Sequence, residues 1–508
     1  MLIEEIHWTT QPGIPILALL QLLPLTAMLL LLALRKQTWA LFPVALTAAF
    51  LQLLLALELY LQLDLGTTAL QFGERLQLLG PLTYHAAVDG VGVLFVMFSA
   101  LLTLLVVIYG EVRTFPPKGL FLATVFAVEA SLVAGLVSVN LLWFVLISAL
   151  QLLPLSYLLH KWSTSPAKGE AVMRFVQFMG SGLLLLFAAV LLLGWQHADA
   201  TAGQWSFDLY DLARHPISPQ WQTVVFFLLF YGLAVRIPIF PLHGWLPRIA
   251  EHGSVAVAPV FLVGLKLGIY GILRFLLPLL PEAVLQWHSY VVAFAVAGVF
   301  YAALLALTQV NLRRLLAFAV ISHSGILVIG LFSLSHAAFQ GTVILSVTFG
   351  LAAAGLLFMT GMVYRRTRTA LLNQLGGLYE SIPLIGITFF IAGLSIVGMP
   401  GTPGFDAAHL ILEASMHRYG ALVTIAAALG NVVAAGFLLW AFQRAFLGAR
   451  PEGMREVEPV NRAEVLLALL LLLTMLGAGF YTEPWMGLVD MSLLNLGELY
   501  APHTSIGE

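Results

Sequence analysis

A chain of 508 residues is long enough for several soluble domains, but 60% of it is hydrophobic and only 9% is Asp, Glu, Lys or Arg. Globular proteins carry roughly 25% charged residues, so a water-soluble fold is excluded. A net charge of −2 with no basic tract excludes a nucleic-acid footprint, and the absence of cysteine excludes disulfides, thiolate ligands for iron–sulfur clusters and thiol redox chemistry.

The N-terminal stretch MLIEEIHWTTQPGIP begins with acids and lacks both a basic n-region and a small-residue cleavage site, so no removable signal peptide is expected. Apolar runs long enough to cross a hydrocarbon core, which takes roughly 20 residues, then follow along the whole chain. Fourteen are predicted, centred near Ala27, Leu51, Ser99, Glu129, Leu150, Leu185, Leu229, Leu265, Val296, Ile321, Leu351, a broken span around Pro400, Ala428 and Leu470. The expected fold is an all-α polytopic membrane protein, one integral membrane domain over 1–508 that closes with a C-terminal helix and tail over 462–508. The two longest connections, Gln62 to Ala87 and Gln196 to Pro219, are expected to cap one surface, and the tail after Tyr481 to lie along the membrane.

Short cytoplasmic loops collect Lys and Arg. Assigning alternate loops to one side places 17 of the 23 bases there, from Arg35 and Lys36 to Arg450, Arg455 and Arg462, whereas the other side holds only Arg75, Arg214, Arg274 and Arg418. Both termini are therefore expected outside the cytoplasm, in a bacterial-type inner (cytoplasmic) membrane. A miscount of one span would scramble this alternation.

Ionisable side chains inside spans are costly and mark an ion path, a structural pair or a cavity lining. The inventory is Glu58, Glu129, Arg236, Lys266, His323, Asp406, His409 and Glu413, with Asp89 and His243 near span ends. Glu58 stands one turn from its helix end and is read as snorkelling. Lys266, in FLVGLKLGIYGILRF, has no acid near in sequence; it is either a proton relay, since desolvation lets an ammonium alternate between charged and neutral forms, or half of a static pair with a distant carboxylate. Arg236 sits in LAVRIPIFPLHGW, where Pro238 and Pro241 remove helical donors and break the seventh span. In GMPGTPGFDAAHLILE, Pro400 and Pro403 break the twelfth. Beyond that break the spacing of Asp406, His409 and Glu413 puts all three on one helical face, as a hydrated acid–base patch or as an interfacial helix end. His323, in LLAFAVISHSGIL, is either a titrating relay or a packing residue.

Breaks at corresponding places in two halves of a bundle point to inverted repeats with the ion site near the midplane. The seventh and twelfth spans are five helices apart, which fits a first repeat over 118–280 and a second over 287–447.

The motifs FPLHGWLP (Phe240 to Pro247), LKLGIYGILRF (Leu265 to Phe275), RRLLAFAVISHSG (Arg313 to Gly325), GMVYRRT (Gly361 to Thr367) and GMPGTPGF (Gly398 to Phe405) resemble the antiporter-like membrane subunits of respiratory complex I, Mrp-type cation/proton antiporters and membrane-bound hydrogenases, the M-type chain of complex I above all. The resemblance implies fourteen helices, two inverted five-helix repeats and a midplane chain of buried charges that carries protons. It also exposes departures: the family's fifth-helix glutamate falls at Ala149, its seventh-helix lysine at Arg236, its eleventh-helix histidine at Phe349 and its twelfth-helix acid or lysine at about Ala408, while Lys266 and His323 remain. Arginine keeps its proton, so Arg236 is a fixed charge that attracts a carboxylate partner, with Glu129 on a different helix as the candidate.

Two functions follow. One is an ion-translocating subunit of a complex-I-type assembly, with Glu129, Arg236, Lys266, His323, His409 and Glu413 along the path for protons or Na+ and with other membrane subunits and a soluble redox arm as partners. The other is a derived subunit of an inorganic-carbon uptake complex that anchors a soluble zinc-bearing partner and keeps a reduced or rerouted path. No nucleotide loop, metal-ligand cluster or flavin motif is present in the sequence, so no catalytic centre, cofactor or metal is expected in the chain itself. Any enzyme activity, such as that of an NADH:quinone oxidoreductase-type complex, would belong to partner chains.

Overall fold

In hydrocarbon every backbone polar group has to be satisfied internally, so a chain this apolar resolves into helices, with irregular backbone tolerated only where protein buries it. The computed structural model describes residues 4–80, 82–254, 257–264, 267–452 and 456–501. Among the described residues, twelve helices are long and apolar enough to cross a membrane: Ile16–Ala33, Thr38–Leu61, Gly90–Arg113, Lys118–Leu136, Leu141–Lys161, Lys168–Ala200, Pro259–Leu279, Pro281–Leu307, Leu312–Phe332, His336–Thr367, Ala421–Leu447 and Arg462–Phe480. Two more spans are interrupted, one between Pro219–Ala234 and Leu246–His252, the other between Pro383–Ile396 and Gly404–Tyr419. These are the seventh and twelfth of fourteen, and they break where the proline pairs predict. Each predicted centre falls within its own span or, for the twelfth, at its break; Leu265 lies outside the described residues.

The spans sort into an inner column and an outer ring. The apolar stretch of the tenth span is 100% buried, that of the eleventh 94% and those of the third and fourth 89%, against 33% for the first, second, sixth and thirteenth. The outer spans thus present Leu, Phe and Val outward, as lipid requires. Polar residues at the ends fix where the helices start. Asn140 accepts from the Trp143 amide at 3.0 Å, and Asp89 accepts from the Gly92 amide at 2.8 Å. Asn461 and Glu464 cap each other reciprocally ahead of the last span.

One surface carries a small sheet that the search for apolar runs does not anticipate. Strands β1 (Glu5–His7), β2 (Leu70–Leu79) and β3 (Leu82–Val88) lie in that order, β1 parallel to β2 and β2 antiparallel to β3, with Arg75 opposite His85. The Gly80-Pro81 step between two runs of mixed polarity is its only local signal. The predicted surface caps are thus this hairpin and a short helix, Leu209–Arg214. After Tyr481 the chain forms a helix, Glu483–Tyr500, laid across the same end of the bundle: the Ser492 hydroxyl accepts from the Gly90 amide at 2.8 Å and the Tyr500 hydroxyl donates to the Leu277 carbonyl at 2.7 Å.

Candidate functional site

The broken seventh span exposes backbone that an unbroken helix would satisfy. The Trp245 indole, buried past the break, donates to the freed Val235 carbonyl at 3.1 Å. This leaves Arg236 as a half-buried cation at the edge of a cavity of about 30 Å³ lined also by Leu132, Ser148, Gln151 and Phe261, enough for two or three waters at roughly 10–15 Å³ each. Arg236 donates to the Ser148 carbonyl at 3.1 Å and to the Gln151 side-chain oxygen at 3.4 Å. No carboxylate pairs with it among the described residues. Lys266 lies outside the described residues; Leu262 and Leu267, which flank it in sequence, line the Arg236 cavity.

The expected partnership of Arg236 with Glu129 does not form. Glu129 is fully buried where the fourth span meets the third: one carboxylate oxygen accepts from the Ser99 hydroxyl at 2.5 Å and the Thr103 hydroxyl at 2.7 Å, both on the third span. Its second oxygen has no hydrogen-bond partner, and neither has the side-chain oxygen of the adjoining Gln52, whose amide donates to the Leu20 carbonyl at 2.9 Å. A buried carboxylate met by two hydroxyls and adjoined by a glutamine side chain makes a compact polar cluster in an otherwise apolar interior.

Ala149 lies on the exposed side of the fifth span, whereas its neighbours Ser148 and Gln151 face inward to Arg236. The inner surface that meets the seventh span therefore stays polar without a carboxylate. His323 is 1% exposed at the centre of the tenth span and stacks face to face on Phe349, with ring centroids 4.8 Å apart. The flanking Ser322 donates to the Val299 carbonyl at 3.0 Å.

Asp406, His409 and Glu413 share a face, as their spacing predicts, but that face points away from the bundle interior. The Thr482 hydroxyl donates to Asp406 at 2.7 Å, and His409 and Glu413 stand 3.9 Å apart with most of each side chain exposed. The inward neighbours are Ala407 and Ala408. Pro400 and Pro403 lie in a turn that Gly398 enters and Gly401 continues, with φ of +69° and +84°, conformations that favour glycine. Glu58 is exposed near its helix end and accepts from Gln62, consistent with snorkelling. His243 is buried against the Phe240 and Tyr301 rings. Asp89 pairs with Arg274 at 2.7 Å.

Sequence reasoning from charges alone passed over Gln52, Ser99, Thr103, Ser148 and Gln151. The two glutamines carried a signal, each a single amide inside a leucine-rich run. It also passed over a polar clasp on the hairpin surface, where His85 touches Asp208 at 2.5 Å and Glu5 at 3.0 Å.

A family model described as "NADH:quinone oxidoreductase/Mrp antiporter, TM" matches residues 138–434. The chain is 30% identical over 432 residues to NADH-quinone oxidoreductase subunit M of Escherichia coli (strain K12), covering 82% of each. It is 27% identical over 481 residues to NADH-ubiquinone oxidoreductase chain 4 of Marchantia polymorpha, covering 94% of this chain and 95% of that one. Among solved structures it superposes on a chain of respiratory complex I from Thermus thermophilus with bound NADH, with a TM-score of 0.84 and 27% identity over 96% of this chain and 100% of the other. With fourteen spans, breaks in the seventh and twelfth, and matches over most of its length, the chain belongs to the NADH:quinone oxidoreductase/Mrp antiporter family of membrane subunits.

Proposed function

We propose that this chain is an ion-translocating membrane subunit of a complex-I-type assembly, moving protons or Na+ along a polar seam through the inner column. The observation that carries the reading is Arg236, a cation held at a break in a transmembrane helix, facing Gln151 and Ser148 across a cavity with room for water. An intramembrane charge at a helix break is costly unless it serves a path. Along that path Lys266 and His323 are the titrating groups and Arg236 is the fixed charge that tunes them. His409 and Glu413 supply an acid–base pair at the edge of the bundle, where a neighbouring membrane subunit would complete it. Glu129 forms a separate proton-holding site among the first four spans.

The two breaks fall in the fourth helix of each proposed five-helix repeat, over 118–280 and 287–447, which supports their equivalence. The side to which most Lys and Arg fall supports a cytoplasmic location for that face and, with it, a location outside the cytoplasm for both termini. The names of the matched relatives favour the respiratory reading, with other membrane subunits and a redox arm as partners, over carbon uptake with a zinc-bearing partner.

The test replaces Arg236 in the intact complex reconstituted into vesicles. Arg236→Leu is expected to depress ion uptake while the catalytic activity of the partner chains persists, and Arg236→Lys to retain part of it. Unchanged uptake in both variants would remove the fixed charge from the account.

A further inference from the structure

A cavity of about 290 Å³ opens at the base-rich end of the bundle, far larger than the one beside Arg236. It lies where the third, tenth and eleventh spans meet the connections that follow the fifth and seventh. Three guanidiniums line it, those of Arg113, Arg313 and Arg368, with Glu251 the one carboxylate in the wall. That carboxylate is already engaged by Arg314 at 3.4 Å. Among the described residues no acid stands within ion-pair distance of the three arginines.

Arg313 is 7% exposed, and one of its nitrogens donates to the Gly253 carbonyl at 2.7 Å. The guanidiniums of Arg113 and Arg313 each lie 6.0 Å from the centre of one ring, Tyr364. Two cations that share a ring without an acid between them repel, and burial of one of them sharpens the cost. Arg368, at the rim, holds φ of +58°, a left-handed conformation that a non-glycine residue adopts at a cost.

We propose that this cavity is a binding site for a phosphate-type oxyanion, held by Arg113, Arg313 and Arg368. A guanidinium offers five donors in a rigid fork that matches phosphate oxygens. Ser165 and Thr369 also line the wall, but the Thr369 hydroxyl donates to Gln374 at 2.7 Å and the Ser165 hydroxyl stands 3.0 Å from His252 Nδ1, so the guanidiniums supply the donors. The phosphate comes either from solution or from the headgroup of an anionic lipid, since basic pockets between spans on the cytoplasmic side accept headgroups. The site is distinct from the ion seam and stands whether or not the chain conducts.

The test measures phenylglyoxal modification of Arg113 and Arg368 by peptide mass spectrometry in the intact complex. Four conditions are compared: millimolar inorganic phosphate, chloride at equal ionic strength, phosphatidylcholine vesicles, and the same vesicles with phosphatidylglycerol. Phosphate is expected to slow modification of both arginines several-fold relative to chloride, and Arg313→Gln or the more exposed Arg368→Gln to abolish protection of the remaining arginines. Protection by phosphatidylglycerol and not by free phosphate would assign the oxyanion to a lipid headgroup. Equal modification in all four conditions would overturn the proposal. So would full protection in phosphate-free chloride and in phosphatidylcholine, which would mean that an acidic segment of a partner chain fills the cavity.

Discussion

Substitution of His85 by Asn is expected to loosen the hairpin surface in a pH-dependent way. His85 is fully buried, with Nδ1 2.5 Å from Asp208 and Nε2 3.0 Å from Glu5 and 3.3 Å from Arg75 Nε. Both carboxylates receive an imidazole N–H only if the ring is charged, and the Arg75 contact then gives way to its pairing with the same carboxylates. Burial opposes that charge, but the hydrogen bonds and the fields of Asp208 and Glu5 outweigh it and raise the His85 pKa above its ordinary 6.5. Burial likewise opposes ionisation of Glu5, yet the His85 hydrogen bond and charge together with Arg75 hold its carboxyl below the ordinary 4.5. The His85 contribution is therefore complete below pH 6.5 and is lost as pH climbs through its folded value, while that of Glu5 is complete above 4.5 and is lost in acid. The clasp is tightest between those limits. A hydrogen bond to a charged partner contributes about 1.5–3 kcal/mol, so losing two costs roughly 3 kcal/mol or more, about two decades in the opening equilibrium. The assay is amide hydrogen exchange of β2 and β3, corrected for intrinsic rate, in the wild type and in His85→Asn. Protection that stays flat with pH in the wild type, or that is equal in the two proteins at mildly acidic pH, would refute the reasoning.

Two further expectations concern the bundle itself. Glu464 is fully buried and takes two bonds from Arg366, at 2.8 and 2.7 Å, while capping the last span; Glu464→Ala should cost about 3–5 kcal/mol, read as a lowered Tm of the solubilised protein. An unchanged Tm would mean that solvent replaces the pair. Glu129→Gln keeps partners for Ser99 and Thr103 and should be mild, whereas Glu129→Leu strands two hydroxyls at about 1–3 kcal/mol each; equal thermal stability of the two variants would show that this cluster holds nothing together.

The number of spans and the two breaks were legible because hydrocarbon leaves few solutions: length and Pro placement read directly as helices and kinks. The hairpin was not legible, since a short sheet on a wet surface leaves no long apolar run. The pairing of charges was least legible. Glu129 and Arg236 are the two buried charges that sequence most readily joins, yet the fourth span turns Glu129 toward Ser99 and Thr103 while Arg236 meets the fifth span. Helical spacing fixed that Asp406, His409 and Glu413 share a face. Which way that face points depends on packing against the eleventh span, where the small residues Ala407 and Ala408 go in and the charged ones out.

The decisive measurement is the number of ions taken up per pair of electrons by vesicles holding the intact complex, compared between wild type and Lys266→Ala. If a titrating seam runs between the fifth, seventh and eighth spans, uptake falls sharply while electron transfer from the partner chains continues. A ratio unchanged by the substitution would leave the family fold in place and contradict the transport role assigned to this chain.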